Sequence, residues 1–400
     1  MKEQEIKTTA MTGSKPKPQR IAFAGYAPVH FLCFLPVYRQ LVNDPRVEVF
    51  LSGGFRKGKG ENATYSSEGF YDPFPVDQSK VIPVEQLAQE DFDVLVCAHL
   101  SDAFFPRHVK KTIQIFHGVS FKNLAVREKA LRYDLLCLPG RYHADLYRQN
   151  GLLRDNSSTF LITGFPKVDA LVNGELDRAE TLRNLGIDPA LPTALFAPTG
   201  EKHNALESMG IEVIWRIAQA GTWNLLVKPH DHPKNKINWF EELAPLQNDR
   251  IKIVKDLDVV PLLNAADLLI TDASSVAVEY TLLDRPIIFL DVPKMLKKVT
   301  ERAPSLDLDT YGRKIGTVVK KPSTIVAALD ASRECQIRKT MARHVFHRPG
   351  HASKSVAGVV LHAAGLEPNI PEGVELITGD GDRSSPLTQQ QEQIGPTPNL

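Results

Sequence analysis

No run of about twenty apolar residues, the length that a membrane-spanning helix needs, occurs anywhere in the 400-residue chain. The longest candidate, residues 21–42, is interrupted by Gly25, His30, Pro36 and Arg39. Cysteine is scarce too. Cys33, Cys97, Cys137 and Cys335 are widely spaced and mostly sit in apolar runs, which excludes a CxxC metal site and a disulfide framework and fits reduced, buried thiols in a cytosolic protein. Neither charge sign dominates: 48 Lys and Arg against 47 Asp and Glu leave a formal charge of +1, so a generally basic coat is excluded and no nucleic-acid partner is expected. The first twenty residues lack the apolar segment of a secretory signal and carry five Lys or Arg. Residues 1–19 are therefore expected to form a disordered arm. No repeat of solenoid period is present.

With 42% apolar and 24% charged residues, the chain has the composition of a folded globular protein. Its length predicts two domains. Apolar runs of strand length fall at 21–24, 47–51, 94–97, 112–116, 135–138 and 159–163, and again at 194–197, 224–228, 251–254, 267–271 and 286–290. Continuous runs of this kind suit strands buried on both faces of a parallel sheet. Helical patterns lie between them, for example at 31–41, 206–220 and 276–283. The alternation predicts an α/β protein of two Rossmann-like doubly wound domains. The Gly- and Pro-containing stretch 172–192 separates the two sets. The boundaries expected are 20–175, 176–330, helices over 331–365, and a disordered tail over 366–400, where no periodic apolar face survives.

Open parallel sheets bind ligands beyond the carboxyl ends of their strands, so the residues there carry the functional reading. An apolar strand runs into Phe116-His117-Gly118-Val119-Ser120. A histidine at that edge can take a proton from a hydroxyl near neutral pH, or it can simply bond to loop backbone. A second strand ends in Lys228-Pro229-His230-Asp231-His232. The pair His230 and His232 could serve a metal, but no further ligand cluster accompanies it and no metal is expected; a solvated loop is the plainer alternative. A third strand ends in Thr271-Asp272-Ala273-Ser274-Ser275, followed by a helix pattern. Ser274 or Ser275 can cap that helix, whose free N–H groups form an anion site. Capping and phosphate binding are compatible there, and Glu279 falls one turn on, where a nucleotide ribose would lie. A fourth strand ends in Ala197-Pro198-Thr199-Gly200, offering the Thr199 hydroxyl. The segment Gly53-Gly54-Phe55-Arg56-Lys57-Gly58-Lys59-Gly60 nearly spells a P-loop, but Gly60 stands where a magnesium-ligating Ser or Thr belongs. It is read as a flexible basic loop.

Together these segments resemble the CDP-glycerol glycerophosphotransferase family of teichoic-acid primases and polymerases. Phe116-His117-Gly118, Thr163-Gly164-Phe165-Pro166-Lys167-Val168-Asp169, Phe196-Ala197-Pro198-Thr199, Lys228-Pro229-His230, Thr271-Asp272-Ala273-Ser274-Ser275 and Arg285-Pro286-Ile287 follow its motifs in order, and Arg348-Pro349-Gly350-His351-Ala352-Ser353 stands where the family has a Gly-Ala-Ser-like turn. Val119-Ser120, Lys167 and Gly200-Glu201 depart from its pattern. The resemblance implies a GT-B architecture, with an acceptor domain first, a donor-nucleotide domain second, and C-terminal helices crossing back. It implies transfer of phosphoglycerol or a similar phospho-polyol from a CDP-activated donor, such as CDP-glycerol, to an acceptor hydroxyl, with no cofactor. His117 and His230 would be catalytic. Thr199, Lys228, Asp272, Ser274, Ser275 and Glu279 would serve the donor, Asp272 by ordering its loop, and Gly118, Ser120 and Lys167 the acceptor or its loop. The implied acceptor is a lipid-linked glycan, and the enzyme would be cytoplasmic, with Lys294, Lys297, Lys298 and Arg302 either meeting acidic headgroups at the membrane face or forming a solvated helix face. A nucleotide-sugar glycosyltransferase or UDP-sugar epimerase on the same fold, and a non-catalytic nucleotide-binding module, are the alternatives.

Overall fold

The structure, a computed structural model, describes residues 17–377 apart from 59–62, 124, 154–157, 231–235, 303–311 and 332–334. Its strands are β1 (Gln19–Gly25), β2 (Val47–Gly53), β3 (Phe55–Lys57), β4 (Thr64–Ser66), β5 (Val81–Ile82), β6 (Asp91–Cys97), β7 (His108–Gln114), β8 (Leu135–Leu138), β9 (Thr159–Ile162), β10 (Thr193–Phe196), β11 (Asn224–Val227), β12 (Ile251–Ile253), β13 (Leu268–Thr271), β14 (Ile287–Leu290), β15 (Thr317–Val319) and β16 (Glu375–Ile377). A front sheet runs in the order β16-β9-β8-β7-β6-β1-β2-β5, and a rear sheet in the order β12-β11-β10-β13-β14-β15. All neighbours in the two sheets are parallel except β16 on β9. Helices cover both faces, so Phe23, Val94, Leu195 and Ile270 are wholly buried. Hence the strand sequences read as unbroken apolar runs and not as alternation.

One continuous core joins the front sheet to the near side of the rear half, through Leu195, Leu263, Val278 and Tyr280, and to the C-terminal helices through Val345, Val356 and Val360. A smaller core, with Phe196, Val213, Ile217 and Trp239, fills the far face of the rear sheet. The helix Gln336–Val345 closes on the front half at Gly140, where a Cβ would stand 2.3 Å from the Val345 carbonyl oxygen; only glycine admits this approach. The next helix, Ala352–Ala363, packs on the helix Pro28–Leu41. Its N-terminus is held by Asp169, whose carboxylate accepts from the N–H groups of Gly350 (3.0 Å), Ala352 (3.1 Å) and Ser353 (2.7 Å). The motif around Asp169 and the turn at Arg348–Ser353 thus form one joint.

The ends of the chain correct two expectations. β1 begins at Gln19, inside the expected arm. The expected tail is ordered over 366–377: Leu366, Ile370 and Val374 pack on the core and β16 pairs with β9. These few apolar residues have no periodicity of their own; they are ordered by a surface the rest of the chain has already built. The remainder of both segments, 1–16 and 378–400, lies outside the described residues.

Candidate active site

In the front sheet β1 has β2 on one side and β6 on the other; in the rear sheet β10 lies between β11 and β13. Chain direction across the sheet reverses at these points, which opens a crevice at the carboxyl ends. Residues of both crevices line a single cleft of about 650 Å³. Its front wall carries Tyr26 and His30 after β1, His99 after β6, and Gln114, His117, Gly118 and Ser120 from the end of β7 onward. Its rear wall carries Thr199 after β10, Lys228 and His230 after β11, and Ser274 and Ser275 after β13. The walls come close at one point: a Cβ placed on Gly118 would lie 3.8 Å from both Cβ and Oγ of Ser275.

His117 Nδ1 lies 2.5 Å from the carbonyl oxygen of Ala98. A carbonyl only accepts, so Nδ1 carries the hydrogen and the neutral ring keeps its lone pair on Nε2. The backbone bond is thus present, and it does not compete with the other reading, since it sets the tautomer that a base would require. The ring is open to the cleft but closely walled in. That confinement, aided by the Lys167 charge and opposed by the Ala98 bond, lowers its pKa below the usual histidine value. Two further histidines stand behind it, His30 with its ring centre 4.9 Å from that of His117, and His99 5.4 Å from His30. Each accepts a backbone N–H at Nδ1, from Tyr26 (3.3 Å) and Ser101 (3.0 Å) respectively. Burial holds His30 well below its ordinary pKa and pushes His99 down to about 3, so both are neutral. Among the described residues no group of three or more His, Cys, Asp or Glu has a geometry to hold a metal. His232 lies outside those residues.

On the rear wall, Asp272 does not reach the cleft. It is wholly buried, and its two oxygens accept from Thr199 N (3.0 Å) and Ala205 N (2.9 Å), so it fastens the loop after β10 to the loop after β13. Any service it gives a donor is therefore through the order of that loop, the part the sequence suggested for it, and not by direct contact. Ser275 stands at the N-cap of the helix Val276–Tyr280 without a side-chain capping bond, so the expected cap is not made and its hydroxyl remains at the cleft. Thr199 lines the cleft with its hydroxyl accepting from Lys122 Nζ at 3.1 Å. Glu279 is also corrected. It is fully buried, with Lys167 Nζ at 2.8 and 2.9 Å from its two oxygens, so it offers nothing to a ribose. Lys167 borders the cleft, but its ammonium is committed to this pair. Lys228 is buried in the rear wall and His230 is exposed at the rim.

The Gly-rich segment, expected as a flexible loop, carries β3 of the β3–β4 ribbon, and Tyr65 of β4 has its ring centre 6.4 Å from that of Tyr26 on the cleft. On the helix Pro293–Arg302, Lys294 and Lys297 are exposed, while Lys298 Nζ sits 2.9 Å from His203 Nε2. No helix among the described residues is long and apolar enough to cross a membrane. The sequence reading missed His30, His99, Gln114, Lys122 and His143, all on the cleft. His30 and His99 follow the ends of β1 and β6, and knowledge of the strand order would have marked both.

The family model of CDP-glycerol:poly(glycerophosphate) glycerophosphotransferase matches residues 90–361. The teichoic acid glycerol-phosphate primase of Bacillus spizizenii is 28% identical over 217 residues, 54% of this chain and 54% of that protein, so the chain spans about half the length of this curated relative. A structure of the wall teichoic acid polymerase TagF, soaked with CDPG, superposes with a TM-score of 0.63 at 16% identity over 88% of this chain and 91% of that one. A UDP-N-acetylglucosamine 2-epimerase does so with a TM-score of 0.53 at 14% identity over 89% of this chain and 98% of that one. At such identities the likeness is one of fold, the GT-B arrangement of two Rossmann-like halves about a cleft. The family match over more than half its length, on all the segments that build that cleft save the one after β1, places the chain in the CDP-glycerol:poly(glycerophosphate) glycerophosphotransferase family.

Proposed function

We propose that the chain transfers phosphoglycerol, or a related phospho-polyol, from a CDP-activated donor to an acceptor hydroxyl in the synthesis of a cell-surface polymer. The observation that carries this reading is the approach of Gly118 to Ser275, which sets a neutral histidine and a pair of serine hydroxyls on opposite walls of one cleft. The acceptor hydroxyl gives its proton to His117 Nε2 while its oxygen attacks the glycerol-bearing phosphorus. The bond from that phosphorus to CMP breaks, and CMP leaves with the bonding pair. Lys228, His230, Thr199 and the hydroxyls of Ser274 and Ser275 hold the diphosphate and offset the charge that grows on CMP, each well-placed donor contributing about 3 kcal/mol. Gly118 and Ser120 leave room for the acceptor. That acceptor is lipid-linked, and the enzyme meets it from the cytoplasmic face with Lys294 and Lys297 toward the headgroups.

CMP release from CDP-glycerol or CDP-ribitol tests the reading. His117→Ala should cut turnover at least about a hundredfold with an unchanged thermal melt. Near-normal turnover removes the base assignment. UDP release from a UDP-sugar, with none of CMP, replaces the reading with a glycosyltransferase or epimerase. Tight CDP-donor binding without turnover over a range of acceptors makes the chain a binding module.

A further inference from the structure

Two polar side chains of the front wall have no place in the chemistry above. Gln114 closes β7, and His143 projects from the helix Arg141–Gln149; each is 2% exposed and each lines the cleft. Gln114 Oε1 and His143 Nδ1 are buried without a hydrogen-bond partner. A native fold rarely leaves such atoms unpaired unless something else satisfies them. Their position says what that is. The His143 ring packs edge-on to Phe116, 4.8 Å between centres, and Phe116 immediately precedes His117. Gln114 lies two residues before Phe116 on the same chain segment, so both orphan atoms belong to the wall that ends in the base.

We infer that Gln114 and His143 form a subsite for the hydroxyl groups of a polyol, which seats the acceptor beside His117. The inference rests on the transferase reading for its role but not for its chemistry. An amide oxygen only accepts a hydrogen bond, and a neutral imidazole nitrogen accepts or donates one. The diphosphate of a nucleotide-activated donor, which carries no proton at neutral pH and so offers acceptors alone, would set its oxygens against Gln114 Oε1. A hydroxyl donates and accepts and satisfies both. Burial keeps His143 uncharged, with its pKa pushed down to about 3, so the subsite adds no positive charge that would draw an anion. Phosphate is left to the rear wall and the hydroxyls to the front.

The test is ligand-observed NMR with sn-glycerol 3-phosphate as probe, CMP held at saturation, and inorganic phosphate as control. Gln114→Met and His143→Leu keep roughly the same volume and remove the orphan atoms. The expected result is probe binding weakened about tenfold in each variant, the loss of one hydrogen bond at an otherwise intact site. CMP binding should be unchanged, and the apo melting temperature equal or higher, because an unpaired buried polar atom has been replaced by an apolar one. Unchanged probe affinity in both variants overturns the inference, as does wild-type probe binding that inorganic phosphate fully competes away. If His143→Leu fails to fold, Gln114→Met decides alone. If the wild type neither binds CMP nor transfers, the functional reading falls, while the subsite still stands or falls with the probe.

Discussion

The proposed base must be neutral when a substrate arrives, and the surroundings of His117 favour its neutral form. Its walled-in position and the Lys167 charge disfavour the imidazolium more than the Ala98 carbonyl favours it. The pH–rate profile should therefore show its acid limb below the ordinary histidine value of about 6.5. Activity would persist as pH falls past that value, since the ring stays unprotonated longer than a free one. The measurement is kcat/KM for CMP release across pH 4 to 8, and an acid limb at or above about 6.5 removes the assignment of that ionisation to His117. His117 itself was legible in the sequence because an apolar run led straight into it. The residues around it were not. His30, His99, Gln114 and His143 come from four separate strand ends or helices, and only the order β2-β1-β6-β7-β8 makes them neighbours. Strand order is a non-local property that no single segment encodes.

Elements with a strong pattern were readable one by one. Every strand buried on both faces appeared as an apolar run, because helices on either side leave no polar position along it. Of the four edge strands of the front and rear sheets only β12 was readable, as the run at 251–254; β5, β15 and β16 were not. β5 is two residues and β15 and β16 are three each. Each is ordered by a partner strand and not by its own composition. The joint at Asp169 shows the same logic for a helix. The resemblance marked both Asp169 and the turn before Ala352, but not that one carboxylate satisfies three backbone N–H groups of the other. Asp169→Ala would leave those donors uncapped in a buried site. It should lower the stability of the folded protein by about 2–4 kcal/mol, read as a shift in urea midpoint with little change in slope. Asp169→Asn, which keeps an acceptor oxygen, should lose less. Equal stability of the alanine variant and the wild type would mean that the helix is held by its apolar face alone.

At the scale of the whole molecule, the cleft depends on two halves keeping their distance, and two lysines tie them. Lys122 reaches from the front loop to Thr199, and Lys167 from the front half to Glu279 behind the rear wall. The second tie is the more consequential, since both partners are buried. Removing one side leaves an uncompensated charge in the core between the halves, a loss of about 3–5 kcal/mol. Lys167→Met and Glu279→Gln should each fall in that range, and the double variant should recover most of it. The pair also has a signature in alkali. Burial, the largest single influence, would lower the Lys167 pKa, yet the charge and hydrogen bond of Glu279, joined by Cys33 and Asp258, together outweigh it and the net shift is upward. The native state then holds its proton after an unfolded chain has released it. The stabilisation is complete below the free lysine value of about 10.4 and is lost as pH climbs through the higher native value. Wild-type stability should therefore decline above about pH 10 more steeply than that of the double variant, measured by urea unfolding at stepped pH. Parallel declines in the two proteins would show that the pair does not couple the halves to pH.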